Sequence, residues 1–190
     1  SDNSIAIGLS AVTDGARGIA IGDGTTVSGA SGLAIGTSAS AAADAIALGK
    51  SASASADGLA FGTSAIAAAD AIALGTSANA VGTNSIAQGT SASAAGASSI
   101  ALGTSANTSG SGDISLGSSA GTGTTGTTTA QNQANRIALG TNAGQSVSGN
   151  EDIAIGLSAG DKVSGNYNIA IGSSAGSSTG GDENVAIGYN

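Results

Sequence analysis

Three aspartates, Asp44, Asp57 and Asp70, stand thirteen residues apart. In a chain that repeats at that interval they stack in one column, about 5 Å from each to the next. Hard cations prefer clustered carboxylates, so a Ca²⁺ ladder is one reading of the column. The other is that each aspartate caps its own turn and stays hydrated. The second has more behind it, because the Gly-rich nonapeptide that binds Ca²⁺ in other β-rolls is not repeated here, Gly180-Gly181-Asp182 being a fragment of it. Gly49-Lys50-Ser51 echoes the end of a phosphate-binding P-loop, but Asp44 stands where the first glycine is required. Gly121-Thr122-Gly123-Thr124-Thr125-Gly126 matches the dinucleotide fingerprint in letters only, since no long buried strand precedes it and no helix follows. It reads instead as part of a polar loop from Gly121 to Asn135.

Histidine and cysteine are absent, as are proline, methionine and tryptophan. That removes the histidine base, the Ser-His-Asp triad, the thiol nucleophile, disulfides, zinc fingers and haem ligation. With no credible cluster of acids and bases, neither enzymatic activity nor a cofactor or metal is expected. The net charge is −8, and Arg17, Lys50, Arg136 and Lys162 are the four cations. A phosphate backbone is gripped by many Lys and Arg contacts, and anionic membranes select the same residues, so nucleic acid and direct membrane insertion are set aside. The longest apolar stretch, residues 65–74, contains Asp70 and is too short to span a bilayer. The chain opens on Ser1-Asp2-Asn3-Ser4 without a basic leader, as expected of a mature or excised piece.

What must position these residues is a repeat. The pattern apolar-Ala-apolar-Gly recurs thirteen times, ending at Gly8, Gly22, Gly36, Gly49, Gly62, Gly75, Gly89, Gly103, Gly117, Gly140, Gly156, Gly172 and Gly188. The two imperfect copies carry Gln88 and Ser115. Successive glycines are 13 or 14 residues apart up to Gly117, then 23, then 16. The chain therefore divides into repeats of 13–14 residues over 1–120, an inserted polar loop over 121–135, and repeats of 16 residues over 136–190.

Within a copy the large side chains sit two apart, the strand period, so both point to one face and the alanine between them to the other. Glycine then turns the chain. A second short strand follows with small residues two apart, at Ala39 and Ala41, Ala52 and Ala54, Ala65 and Ala67, and Ala78 and Ala80. A unit this small cannot bury a core alone, whereas stacked units place Ile on Ile and Gly on Gly, which makes the fold an all-β solenoid of about thirteen rungs. Ile5, Ile7, Ile19, Ile21, Ile153 and Ile155 are expected in the core, with Gly8, Gly22 and Gly156 at the turns. The opposite row, Ala6, Ala20, Ala34, Ala47, Ala60 and Ala73, is small enough to pack closely against other subunits. Gln88, in a core slot, would need a hydrogen-bonding partner.

Asn3-Ser4-Ile5-Ala6-Ile7-Gly8 and Asn84-Ser85-Ile86-Ala87-Gln88-Gly89 resemble the head repeat of YadA-like trimeric autotransporter adhesins, and the likeness runs through essentially the whole chain. The resemblance implies a left-handed parallel β-roll in a homotrimer. It further implies a head held on the outer face of a Gram-negative outer membrane, attaching to host cells or to extracellular matrix of the collagen, fibronectin and laminin class. The 16-residue form, with Ala143-Gly144, Ala159-Gly160 and Ala175-Gly176, also looks like repeats in some phage tail fibres, so a phage or secreted fibre segment is the alternative. Candidate contact residues are Lys50, Gln131 and Asn132 in the inserted loop, and the two tyrosines, Tyr167 and Tyr189.

Overall fold

A computed structural model of the chain describes residues 3–122 and 135–190. They contain strands and turns and no helix, as a parallel β-solenoid. The chain forms two compact units, Ser1–Ser91 and Ala92–Asn190. In the first, Ile5–Ile7, Ile19–Ile21, Leu33–Ile35, Ile46–Leu48, Leu59–Phe61, Ile72–Leu74 and Ile86–Gln88 form one parallel sheet. Their register stacks like on like: Ile46 on Leu59 on Ile72, and Ala47 on Ala60 on Ala73. The shorter strands Val12–Thr13, Thr26–Val27, Ser40–Ala41, Ser53–Ala54, Ile66–Ala67 and Asn79–Ala80 form the facing parallel sheet.

The second unit repeats the first sheet with Ile100–Leu102, Ile114–Leu116, Ile137–Leu139, Ile153–Ile155, Ile169–Ile171 and Val185–Ile187. Its facing side changes along the chain. Ser93–Ala94 pairs with Asn107–Thr108, but in the 16-residue rungs single bridges, Ser148 to Ser164 to Gly180, replace the strand. There the chain turns at Gly144, Gly160 and Gly176, all near φ +60°. A Cβ on Gly160 would lie 2.9 Å from that of Ala154, so the glycine lets the turn close over the alanine of its own rung.

The expected core is inverted. Ala20, Ala34, Ala47, Ala60 and Ala73 are fully buried inside the roll, facing Val27, Ala41, Ala54, Ala67 and Ala80 of the other sheet. The large aliphatics point outward: Ile5 and Ile7 are exposed, and Ile19, Ile21, Ile153 and Ile155 are only half-buried. The reason is perimeter. Fourteen residues at about 3.3 Å each close a coil of about 45 Å, and two strands back to back inside it leave room for small side chains, mostly alanine. The alternation of side chains was therefore right and its sense wrong, and the Ala row is the lining of the roll rather than a subunit contact. Gln88 also points outward and is exposed, so its amide carries no burial cost.

The turns fall at the rung glycines. Gly8, Gly22 and Gly156 have φ of +138°, +136° and +130°, a region essentially closed to other residues. A second positive-φ site opens the return to the next rung and is occupied by Ser31, Asp44, Asp57, Asp70 and Asn84 near +55°, side chains that tolerate the left-handed region better than most. In the 13-residue rungs three positions separate Ala41 from Asp44, against four from Val27 to Ser31. The missing residue has come out of this return turn.

Candidate interaction surface

The two sheets of the first unit present opposite chemistries to the outside. The facing sheet shows Thr26, Ser40, Ser53, Ile66 and Asn79, mostly polar. The first sheet shows two columns of large side chains. One runs Ile19, Leu33, Ile46, Leu59, Ile72 and Ile86, the other Ile21, Ile35, Leu48, Phe61 and Leu74. Phe61 is 54% exposed, and Ile35 and Ile46 are more than a third exposed. Neighbouring rungs shield part of each side chain, but no described residue of this unit covers the face. Monomeric soluble proteins rarely leave a continuous aliphatic strip of this kind in water. The second unit carries the same two columns through Ile114, Ile137, Ile153 and Ile169 and through Leu116, Leu139, Ile155 and Ile171.

A polar column stands just before the strands of the second unit. Asp113, Arg136, Asp152, Asn168 and Asn184 each precede the first residue of a strand. Asp113 is almost wholly buried and accepts hydrogen bonds from Gly110 N–H at 2.8 Å, Arg136 N–H at 3.0 Å and Arg136 Nε at 3.2 Å. The guanidinium also donates to Ser109 Oγ at 2.9 Å. Asn135 N–H bonds the Ser111 carbonyl. Together these contacts return the chain to the ladder in register, Ile137 on Ile114 and Leu139 on Leu116. Arg136→Ala is expected to leave the buried Asp113 carboxylate short of its partner and to destabilise the second unit by about 1–3 kcal/mol. Thermal or urea unfolding compared with Arg136→Lys checks this. Sequence reading missed the pair because 23 residues separate its members; the signal was the register itself, since stacking Ile137 on Ile114 stacks Arg136 on Asp113.

Of the residues expected at a ligand surface, Lys50 is exposed at the corner after its rung glycine, in a column with Thr37 and Thr63. Tyr167 is 55% exposed at φ +61° in a return turn, and Tyr189 is 84% exposed after Gly188. Tyr167 and Tyr189 thus occupy different corners of the rung, and Lys50 belongs to the other unit. Gln131 and Asn132 lie outside the described residues, as does most of the Gly121–Asn135 segment. Asp44, Asp57 and Asp70 do form one exposed column, each N–H bonding the residue before its upstream neighbour, as Asp57 does to Ala43. Among the described residues no three acidic side chains come together as a metal site would require.

No curated protein matches the chain in sequence. The sequence model for the YadA head domain repeat, taken two copies at a time, matches residues 1–25, 67–92, 80–106 and 94–120. The matches fall on the 13–14-residue rungs of both units, where glycine turns, inward alanines and outward aliphatics recur in phase. Residues 1–25 and 67–120 thus carry YadA head domain repeats, which supports a YadA-like head domain of a trimeric autotransporter adhesin.

Proposed function

We propose that three copies of this chain, each a left-handed β-roll, associate through their aliphatic sheets into the head of a bacterial surface adhesin. The observation that carries this reading is the sense of the rungs. Alanine fills the inside, so the outward isoleucines and leucines have no cover among the described residues and need one from another copy. Packing the strips against one another removes them from water and leaves the polar sheet and the return turns facing outward. Those outward surfaces, with Lys50, Tyr167, Tyr189 and the 121–135 loop, are the proposed contact region for a host cell-surface or matrix protein of the collagen, fibronectin or laminin class. Individually weak contacts gain strength from three-fold valency and many copies per cell. The location that follows is the outer face of a Gram-negative outer membrane.

Head repeats on a β-solenoid are typical of structural adhesins rather than enzymes, and the family suggests both a surface-exposed location and trimerisation. Solid-phase binding of the intact head to a panel of matrix proteins tests the reading. Saturable binding to at least one of them is expected, weakened when the 121–135 loop is deleted if that loop forms part of the contact. No binding across the panel would favour the alternative, a phage or secreted fibre segment, to which the Ala-Gly form of the 16-residue rungs lends support.

A further inference from the structure

Asp152 sits in the middle of the polar column of the second unit and is 5% exposed. Its Oδ1 accepts two hydrogen bonds from Asn168, from the backbone N–H at 2.8 Å and from Nδ2 at 3.1 Å. Its Oδ2 is buried and has no hydrogen-bond partner. The nearest rungs offer that oxygen little. A Cβ on Gly149 would lie 2.6 Å from Oδ2 and would overlap the Gly165 carbonyl oxygen, so both oxygens border the space that the glycine leaves open. Asp152 also lines two small cavities, each of about 20 Å³, one with Val163 and Asn184 and the other with Asp113 and Arg136.

An ionised carboxylate placed this way has one buried oxygen that accepts no hydrogen bond from the described residues, an arrangement that favours adding a proton over keeping the charge. The charged groups that face it are Arg136 from the preceding rung and Asp182 from beyond the following one. Arg136 is engaged with Asp113 and Ser109, and Asp182 is of the same sign as Asp152. Asn168, the column neighbour on the next rung, is neutral.

We propose that Asp152 is a buried proton-binding site, its Oδ2 hydroxyl directed toward the Gly165 carbonyl when protonated, and that it makes the 16-residue rungs pH-responsive. Burial raises the carboxyl above the ordinary aspartate range, against the hydrogen bonds from Asn168 and the charge of Arg136. The sign follows from linkage. Because the folded state binds this proton more tightly than the unfolded chain, the stabilisation is complete below the unfolded value of about 3.9 and is lost as pH rises through the folded value. Above the folded value the second unit therefore carries a buried charge that it does not carry below it. The inference concerns the fold alone and stands whether or not the chain binds host matrix.

Asp152→Asn tests it on the full chain, because it supplies permanently the neutral group that Asn168 and Asn184 already supply one and two rungs on. Relative to the native chain, the variant is expected to melt about 2–4 °C higher at neutral pH, with the difference vanishing as the pH falls toward the ordinary aspartate range. A carboxyl-¹³C aspartate titration of the unmutated chain gives an independent readout. One buried aspartate should titrate above the others, and its signal should be absent from Asp152→Asn. A variant that melts lower than the native chain at every pH, or a native chain whose aspartates all titrate in the ordinary range, overturns the proposal.

Discussion

Gly75→Ala is expected to disrupt the first unit, lowering its stability by about 3–5 kcal/mol. Gly75 ends the strand Ile72–Leu74 with φ +136°, a conformation that L side chains rarely adopt. An added Cβ would also stand 2.6 Å from the carbonyl oxygen of Gly89, the equivalent glycine one rung on. That obstacle is backbone, pinned by the ladder bond from Gly89 N–H to the Leu74 carbonyl at 2.8 Å, so it cannot swing aside as a side chain would. Each rung touches only its neighbours, so the damage should spread outward from the 75–89 step. Hydrogen exchange is the suitable measurement, with Ile72–Leu74 and Ile86–Gln88 losing protection first. Ser77→Gly is the control. Ser77 has φ +55° and is exposed, and removing its Cβ relieves a mild strain, so the change should stay within about 1 kcal/mol.

The second large effect is expected from Ile72→Asp combined with Leu74→Asp. Both side chains are half-buried in a single chain, where placing charges at such positions would be modestly costly. If the aliphatic strip is the contact between chains, the same two substitutions bury carboxylates without partners in every copy, and association should weaken roughly 100-fold or more. Sedimentation velocity over a concentration series reads this directly. Ser53→Asp on the polar sheet, one of the outward positions facing solvent, should leave the assembly unchanged. If both variants behaved alike, the aliphatic sheet would have no special role.

The repeat and its strands were legible from the sequence because the glycine spacing and the two-residue alternation are local signals. The positions of Gly8, Gly22 and Gly156 at turns followed from the same pattern. What alternation cannot say is which face is inside. Pairing Ile19 with Ile21 and setting Ala20 between them is equally consistent with either sense, and the usual expectation that large aliphatics fill the core pointed the wrong way. The size of the coil decides it, and that argument was present in the count of residues per rung. The contents of the polar column were harder to see. Asp113 and Arg136 are brought together by a register that skips the insertion, and Asp152, Asn168 and Asn184 are ordinary polar letters until the 16-residue period stacks them. Lys50, Tyr167 and Tyr189 are exposed, but their separate corners and units show that surface residues of suitable chemistry need not form one patch.

The mass of the native chain in solution tests the account most directly, because everything proposed about the aliphatic sheet requires that it be covered by other copies. Sedimentation equilibrium should return a species of three times the 17.2 kDa chain mass, persisting on dilution. A single 17.2 kDa species at high protein concentration would mean that the outward isoleucines and leucines remain in water, and the account of how this fold is held together would be wrong.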